Sequence, residues 1–138
     1  MIALICGSRN IINQNQIFGI LDTVIKDNSL VIDEIVQGEA PGVDLAAKSY
    51  GDTHNIKVKC FPAQWNDLTQ TPCSIRINKF GKKYNSLAGF NRNKQMIEYI
   101  KGKESMVIAL IKDNSRGTKN TIDLAAKNEI KTIVIEVN

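Results

Sequence analysis

Ser105-Met106-Val107-Ile108-Ala109-Leu110-Ile111 runs through Lys112-Asp113 into Asn114-Ser115-Arg116-Gly117-Thr118. A β-branched-rich apolar run without polar alternation fits a strand covered on both faces, as in a parallel sheet. The polar turn after it, and the helical spacing from Thr121 to Lys127, predict a strand–turn–helix junction. Ser, Gly and Thr in such a turn offer hydroxyls and backbone N–H groups free of intrahelical partners, which suit a phosphate or a sugar. A shorter counterpart, Gly7-Ser8-Arg9, follows the first apolar run, Ile2 to Cys6. Each turn carries an arginine, so the pair points to a site that reads an anion.

The rest of the chain repeats the rhythm. Further strands are predicted at 32–37, 57–61 and 132–137. Between them, Ile17, Ile20, Leu21, Val24 and Ile25 share one helical face, as do Val43, Ala46, Ala47 and Tyr50. Met96, Ile97 and Ile100 mark a third helix, and Ile122, Ala125 and Ala126 a fourth. Strands alternating with helices imply βαβ units, right-handed crossovers and an α/β fold around a five-stranded, mostly parallel sheet with helices on both faces. Asp44-Leu45-Ala46-Ala47-Lys48 recurs as Asp123-Leu124-Ala125-Ala126-Lys127, which small residues packing against a sheet explain without duplication. Gln64 to Leu87 breaks the rhythm. A connection that long is usually functional, and it reads as a flap inserted at about 66–87, with a short hairpin across 74–82.

Composition bounds what such a domain does. At 138 residues the chain suits one domain with one sizeable core, spanning 1–138. An apolar share of 43% against 23% charged excludes a disordered chain. No apolar run approaches the ~20 residues of a membrane span, and the start carries no secretory pattern. The expected location is therefore the cytoplasm, with no membrane partner. Cys6, Cys60 and Cys73 lack metal-ligand spacing; Cys6 and Cys60 read as buried thiols at apolar strands. His54 is the one histidine, so neither a metal site nor a Ser-His-Asp triad is expected, and no cofactor is implied. The net charge of +4 is concentrated in Arg76, Lys79, Lys82, Lys83, Arg92 and Lys94, with no acid among them. That segment is either a solvated basic loop or a rim attracting a phosphate-bearing ligand or nucleic acid.

In an open parallel sheet, ligands sit beyond the carboxyl ends of the strands, where strand order reverses. Gly7, Ser8 and Arg9 fall there after the first strand, Gly38, Glu39, Gly42 and Asp44 after the second, Trp65 after the third, and Ser115, Arg116, Gly117 and Thr118 after the fourth. Gly7 lets backbone approach a ligand, Ser8 offers a hydroxyl, Arg9 suits a bidentate phosphate contact, and Arg116 is either a second phosphate clamp or a surface residue. Asp44 in the first turn of a helix either caps it or binds a ribose hydroxyl. Arg92, in the first turns of the third helix, calls for an anion or carboxylate, because a cation is unfavourable at a helix start. Asn93 beside it suits a base, a ribose or a nearby loop. Neither G-x-x-x-x-G-K-[ST] nor G-x-G-x-x-G after the first strand is present, which argues against a kinase-like NTPase or a standard dehydrogenase.

Gly7-Ser8-Arg9, Gly38-Glu39-Ala40-Pro41-Gly42-Val43-Asp44, Phe61-Pro62-Ala63-Gln64-Trp65, Ala88-Gly89-Phe90-Asn91-Arg92-Asn93 and Ser115-Arg116-Gly117-Thr118 stand in an order that resembles the YspA-related branch of the SLOG superfamily. This is the Rossmann-like group that includes LOG proteins and Smf/DprA. The segment Phe80-Gly81-Lys82-Lys83-Tyr84-Asn85 is similar to versions carried by phages and prophages, which implies a host cytoplasm for a phage-encoded copy. The resemblance implies a Rossmann-like three-layer domain that binds a nucleotide or nucleotide-derived ligand, and, by analogy with LOG proteins, a homo-oligomer. LOG-type phosphoribohydrolases carry G-G-x-G-T-x-x-E at the fourth junction. Aligning Gly117-Thr118 with its Gly-Thr pair puts Asn114 and Ser115 at the two glycines and Thr121 at the glutamate. Three readings follow. The first is a binding module that senses or sequesters a nucleotide signal. The second is a hydrolase of a nucleotide N-glycosidic bond using Glu39 or Asp44 in a catalytic role. The third is nucleic-acid binding through the basic 76–94 segment.

Overall fold

The computed structural model describes residues 1–138. Its elements are β1 (Ile2–Gly7), α1 (Gln14–Asp27), β2 (Glu34–Gln37), α2 (Val43–Thr53), β3 (Lys57–Cys60), β4 (Ile75–Ile77), β5 (Lys83–Asn85), α3 (Ala88–Ile100), β6 (Ser105–Ile111), α4 (Arg116–Lys127) and β7 (Thr132–Glu136). Five strands form one sheet in the order β3-β2-β1-β6-β7, and every neighbouring pair is parallel. The chain winds outward from β1 through β2 to β3, then returns to lay β6 on the other side of β1. Strand order therefore reverses between β1 and β6.

The alternation of β1 explains the three layers. Ala3 and Ile5 face one side and pack with Ile17 and Leu21 of α1 and Val43 and Ala47 of α2. Leu4 and Cys6 face the other side with Met96, Ile97 and Ile100 of α3 and Ala125 of α4. Both faces of the central strands are dry, which is why β1 and β6 lack polar alternation. The edge strand β3 shows the opposite pattern: Lys57 and Lys59 are exposed between half-buried Val58 and Cys60. Cys60 is thus only partly buried, whereas Cys6 is buried as expected. His54 ends α2, stacked on Tyr50 at 4.0 Å with Nδ1 2.8 Å from the Tyr50 carbonyl, a packing role. No group of His, Cys, Asp or Glu is arranged to hold a metal, and no helix is long and apolar enough to cross a membrane.

The predicted strands at 32–37, 57–61 and 132–137 are one or two residues shorter in the structure, and two further boundaries differ more. α4 begins at Arg116, not Thr121, because Ser115 caps it: its Oγ accepts from the Thr118 N–H at 3.4 Å. The flap hairpin pairs Ile75 with Asn85, Arg76 with Tyr84 and Ile77 with Lys83, reaching past 82. Asn85 anchors it. This fully buried side chain accepts from the N–H groups of Ser74 and Leu87 at 3.1 and 3.0 Å. Its own N–H donates to the Trp65 carbonyl at 2.8 Å. The repeated Asp-Leu-Ala-Ala-Lys is seated differently in its two copies: Asp44 is buried at the start of α2, and Asp123 is exposed along α4.

Gly7 closes β1 where the sheet meets α2. A Cβ there would lie 2.6 Å from the Leu110 carbonyl oxygen and 2.7 Å from Val43 Cβ. Gly7→Ala is expected to lower stability by about 1–3 kcal/mol through overpacking, read as a lower urea midpoint at unchanged slope. An unchanged midpoint contradicts this packing.

Candidate functional site

A cavity of about 480 Å³ opens at the switch point, at the carboxyl ends of β1 and β6. That volume lies in the range of small-molecule sites. Of the residues singled out from sequence, Gly7, Ser8, Arg9, Asp44, Trp65, Arg92, Asn93, Ser115, Gly117 and Thr118 line it. They come from five separate segments of chain.

Arg92 sits at the centre. It is 8% exposed. Its Nη1 donates to the Gly38 carbonyl, and its Nε donates to Asn93 Oδ1 at 2.9 Å. Asn93 Nδ2 donates in turn to the Gly117 carbonyl at 3.2 Å and to Asn120 Oδ1 at 3.0 Å, tying α3 to the start of α4. Asp44 is 5% exposed. Its Oδ2 accepts from the Ala40 N–H at 3.2 Å, so it reaches back over the turn instead of capping α2. Burial pushes the Asp44 carboxyl up from 3.8 to about 6, opposed mainly by the charge of Arg92. Burial also presses Arg92 below the usual arginine range, with Asp44 pulling it back. The ion pairs within 4 Å are Met1–Asp33, Lys48–Glu39 and Lys57–Glu34. Asp44 and Arg92 thus feel each other across a gap without direct contact.

Several sequence readings are corrected by the geometry. Ser8 lines the cavity, but its hydroxyl donates to the Lys112 carbonyl at 3.0 Å and accepts from the Lys112 N–H at 2.8 Å. It holds the β1 and β6 turns together. Gly38, Glu39, Gly42 and Arg116 do not line the cavity. A Cβ on Gly38 would meet Arg92 Cζ at 2.8 Å, so this glycine makes room for the guanidinium. Gly42, with φ 87°, packs on the Ile11 and Arg9 carbonyls. Arg116 is exposed on the first turn of α4.

Glu39, at φ 62°, turns outward. Gln37 Nε2 donates to its Oε1 at 3.1 Å, and Lys48 pairs with the same oxygen at 3.1 Å. Hydrogen bonds from Cys60, Gln37 and Lys48 hold this carboxyl down at about 2. Cys6 borders the cavity too, but burial raises its thiol far above the range of a nucleophile.

The anion-reading features are backbone and cationic. α4 starts at the cavity wall with Gly117 and Thr118, its first-turn N–H groups toward the positive end of the helix dipole. Gly89 places the start of α3 there as well, and Arg9 and Lys112 add charge. Thr121 is 1% exposed on the same wall, with its hydroxyl 3.4 Å from the Gly117 carbonyl; Asp123 is exposed elsewhere. Sequence reasoning missed Asn10, Lys112 and Asp113. Asn10 Nδ2 donates to Asp113 Oδ2 at 3.0 Å, linking the two turns across the mouth. Asp113 and Asn114 both have φ 54°, a conformation that Asp and Asn tolerate; this adjacent Asp-Asn pair was the available signal. The basic segment is divided: Arg92 is in the cavity, whereas Arg76, Lys79, Lys82 and Lys83 are exposed on the hairpin.

A parallel α/β sheet with a cavity at its switch point defines a Rossmann-like domain. Residues 1–67 match the model of YAcAr, the YspA, cpYpsA-related SLOG family. The matched part, from β1 through β3 to the first turn of the flap, is similar to the YspA-related SLOG branch, and β6 and β7 complete the same sheet. No curated protein matches the chain. The SLOG relationship supports nucleotide-related ligand binding or processing as the coarse functional assignment. Ala88–Asn93 and Ser115–Thr118 lie outside the matched residues and meet the matched motifs in space.

Asp44 makes stability depend on pH. Its folded value is raised, so its contribution is fully present below 3.8 and is lost as pH rises through about 6. Relative to Asp44→Asn, the wild type is expected to lose roughly 2–3 kcal/mol across that window. Urea unfolding of both proteins at several pH values checks this; parallel curves contradict it.

Proposed function

We propose that this protein binds a phosphate-bearing nucleotide or nucleotide-derived ligand in the switch-point cavity, as a module that senses or sequesters a nucleotide signal. One observation carries the reading: Arg9, Arg92 and Lys112 converge with the starts of α3 and α4 on a single cavity whose one buried acid is Asp44. The Gly117 N–H at the start of α4 would receive the phosphate, and Arg9 would clamp it. Asp44 and Arg92, buried and not in contact, would take sugar hydroxyls between them. Thr121 argues for binding over cutting, because it places a hydroxyl already committed to the helix backbone at the position of the LOG glutamate.

Isothermal calorimetry with AMP, ADP-ribose and cyclic nucleotides tests the reading. Binding by at least one of these is expected, weakened about tenfold or more in Arg9→Ala, since a hydrogen bond to a charged group contributes about 1.5–3 kcal/mol. No binding at high micromolar concentration, with Arg9→Ala indistinguishable from wild type, contradicts it.

A second reading rests on Asp44 itself. A carboxyl raised to about 6 beside a ligand cavity has the proton affinity of a general acid or base. Asp44 would then assist cleavage of a nucleotide N-glycosidic bond, with water supplying the hydroxyl to the sugar and the base leaving protonated. Release of free base from AMP, abolished by Asp44→Asn, supports cleavage. Recovery of intact AMP after prolonged incubation supports binding alone.

A further inference from the structure

The cavity lining combines aromatic and polar residues. Its aromatic lining residues are Trp65 and Phe90, 37% and 41% exposed. The Trp65 ring rests on Gly89, the residue before Phe90. A Cβ on Gly89 would lie 3.3 Å from Trp65 Cη2 and 3.7 Å from Cζ2. Gly89 therefore lets the indole settle onto the first turn of α3, where an alanine would push it away by a few tenths of an ångström. The Arg9 guanidinium lies 5.9 Å from the ring centroid. The start of α4 contributes Ser115, Gly117 and Thr118 to the same cavity and no aromatic residue.

A line of contacts connects Trp65 with the start of α4. The position of a Gly89 Cβ is 3.9 Å from Arg92 Nη2. Arg92 Nε bonds Asn93, and Asn93 bonds the Gly117 carbonyl. The Trp65 contact, the buried Arg92 and the start of α4 are thus linked through α3. Two large rings held half in water beside a polar cavity keep apolar faces that a flat partner would cover. Aromatic rings stack on any nucleobase, since every base has a π-face.

Resting on the nucleotide reading above, we propose that Trp65 and Phe90 form a base subsite. The ligand is then a nucleoside monophosphate or a derivative with its base intact, not a sugar phosphate. Its base lies against Trp65 and its phosphate at Gly117.

Trp65 is the one tryptophan of the chain, so its fluorescence reports on this subsite alone. The test titrates AMP and ribose 5-phosphate into the wild type, Trp65→Ala and Trp65→Phe by calorimetry, with emission followed in the wild type. Thermal melts confirm that both variants fold. AMP is expected to quench the emission and to bind about tenfold more tightly than ribose 5-phosphate. Trp65→Ala should erase that difference by weakening AMP alone, and Trp65→Phe should keep most of it. Equal wild-type affinities for the two ligands overturn the base subsite while leaving phosphate binding intact. Equal weakening of both ligands in Trp65→Ala also overturns it, because Trp65 then acts as scaffold. Failure of both ligands to bind the wild type overturns this proposal and the nucleotide reading together.

Discussion

Arg92 keeps a guanidinium almost wholly out of water, and the site is organised around satisfying it. An isolated buried cation would cost several kcal/mol. The fold meets that cost with the Gly38 carbonyl, the Asn93 side chain and the nearby charge of Asp44. Each partner sits on a different element. Gly38 has no Cβ because the guanidinium occupies that space, and Asn93 passes the connection on to α4 through Gly117. One side chain thereby joins the β2 turn, the start of α3 and the start of α4. Its arrival explains an arginine in the first turns of a helix, where the dipole alone would disfavour it.

The same constraint leaves Asp44 incompletely satisfied. Its carboxylate has the Ala40 N–H and no salt-bridge partner within 4 Å, so burial dominates its proton affinity. Glu39, five residues earlier, experiences the reverse. It is turned outward by its left-handed backbone and surrounded by Gln37, Lys48 and Cys60, which stabilise its charge. Two carboxylates from one turn are driven apart in pKa by their surroundings, and only Asp44 faces the cavity.

Much of the fold was legible because both faces of the central strands are dry, which leaves unbroken apolar runs at β1 and β6. The placement of the cavity followed from strand order and the turn residues. Sequence could not distinguish residues that touch the cavity from residues that build it. Ser8, Gly38 and Gly42 carry the same turn signature as Gly7, yet they support neighbours: Ser8 joins two turns, Gly38 clears Arg92 and Gly42 packs on carbonyls. The outward turn of Glu39 depends on Gln37, a buried side chain whose Oε1 accepts from the Glu39 N–H at 2.6 Å, and no local pattern marks that. The start of α4 was placed too late because Gly117 reads as a turn residue, whereas the Ser115 cap makes it helical.

On the proposed function, ligand recognition takes place at the switch point, around Arg92. The most direct measurement is an amide nitrogen–proton correlation spectrum of the isotope-labelled protein, recorded during titration with AMP. Saturable shifts are expected at Gly7, Arg9, Asp44, Gly89, Arg92, Gly117 and Thr118, with the 75–85 hairpin unchanged. Shifts centred on the hairpin, or on the cleft between α1 and β7, would place recognition elsewhere and contradict the proposed function.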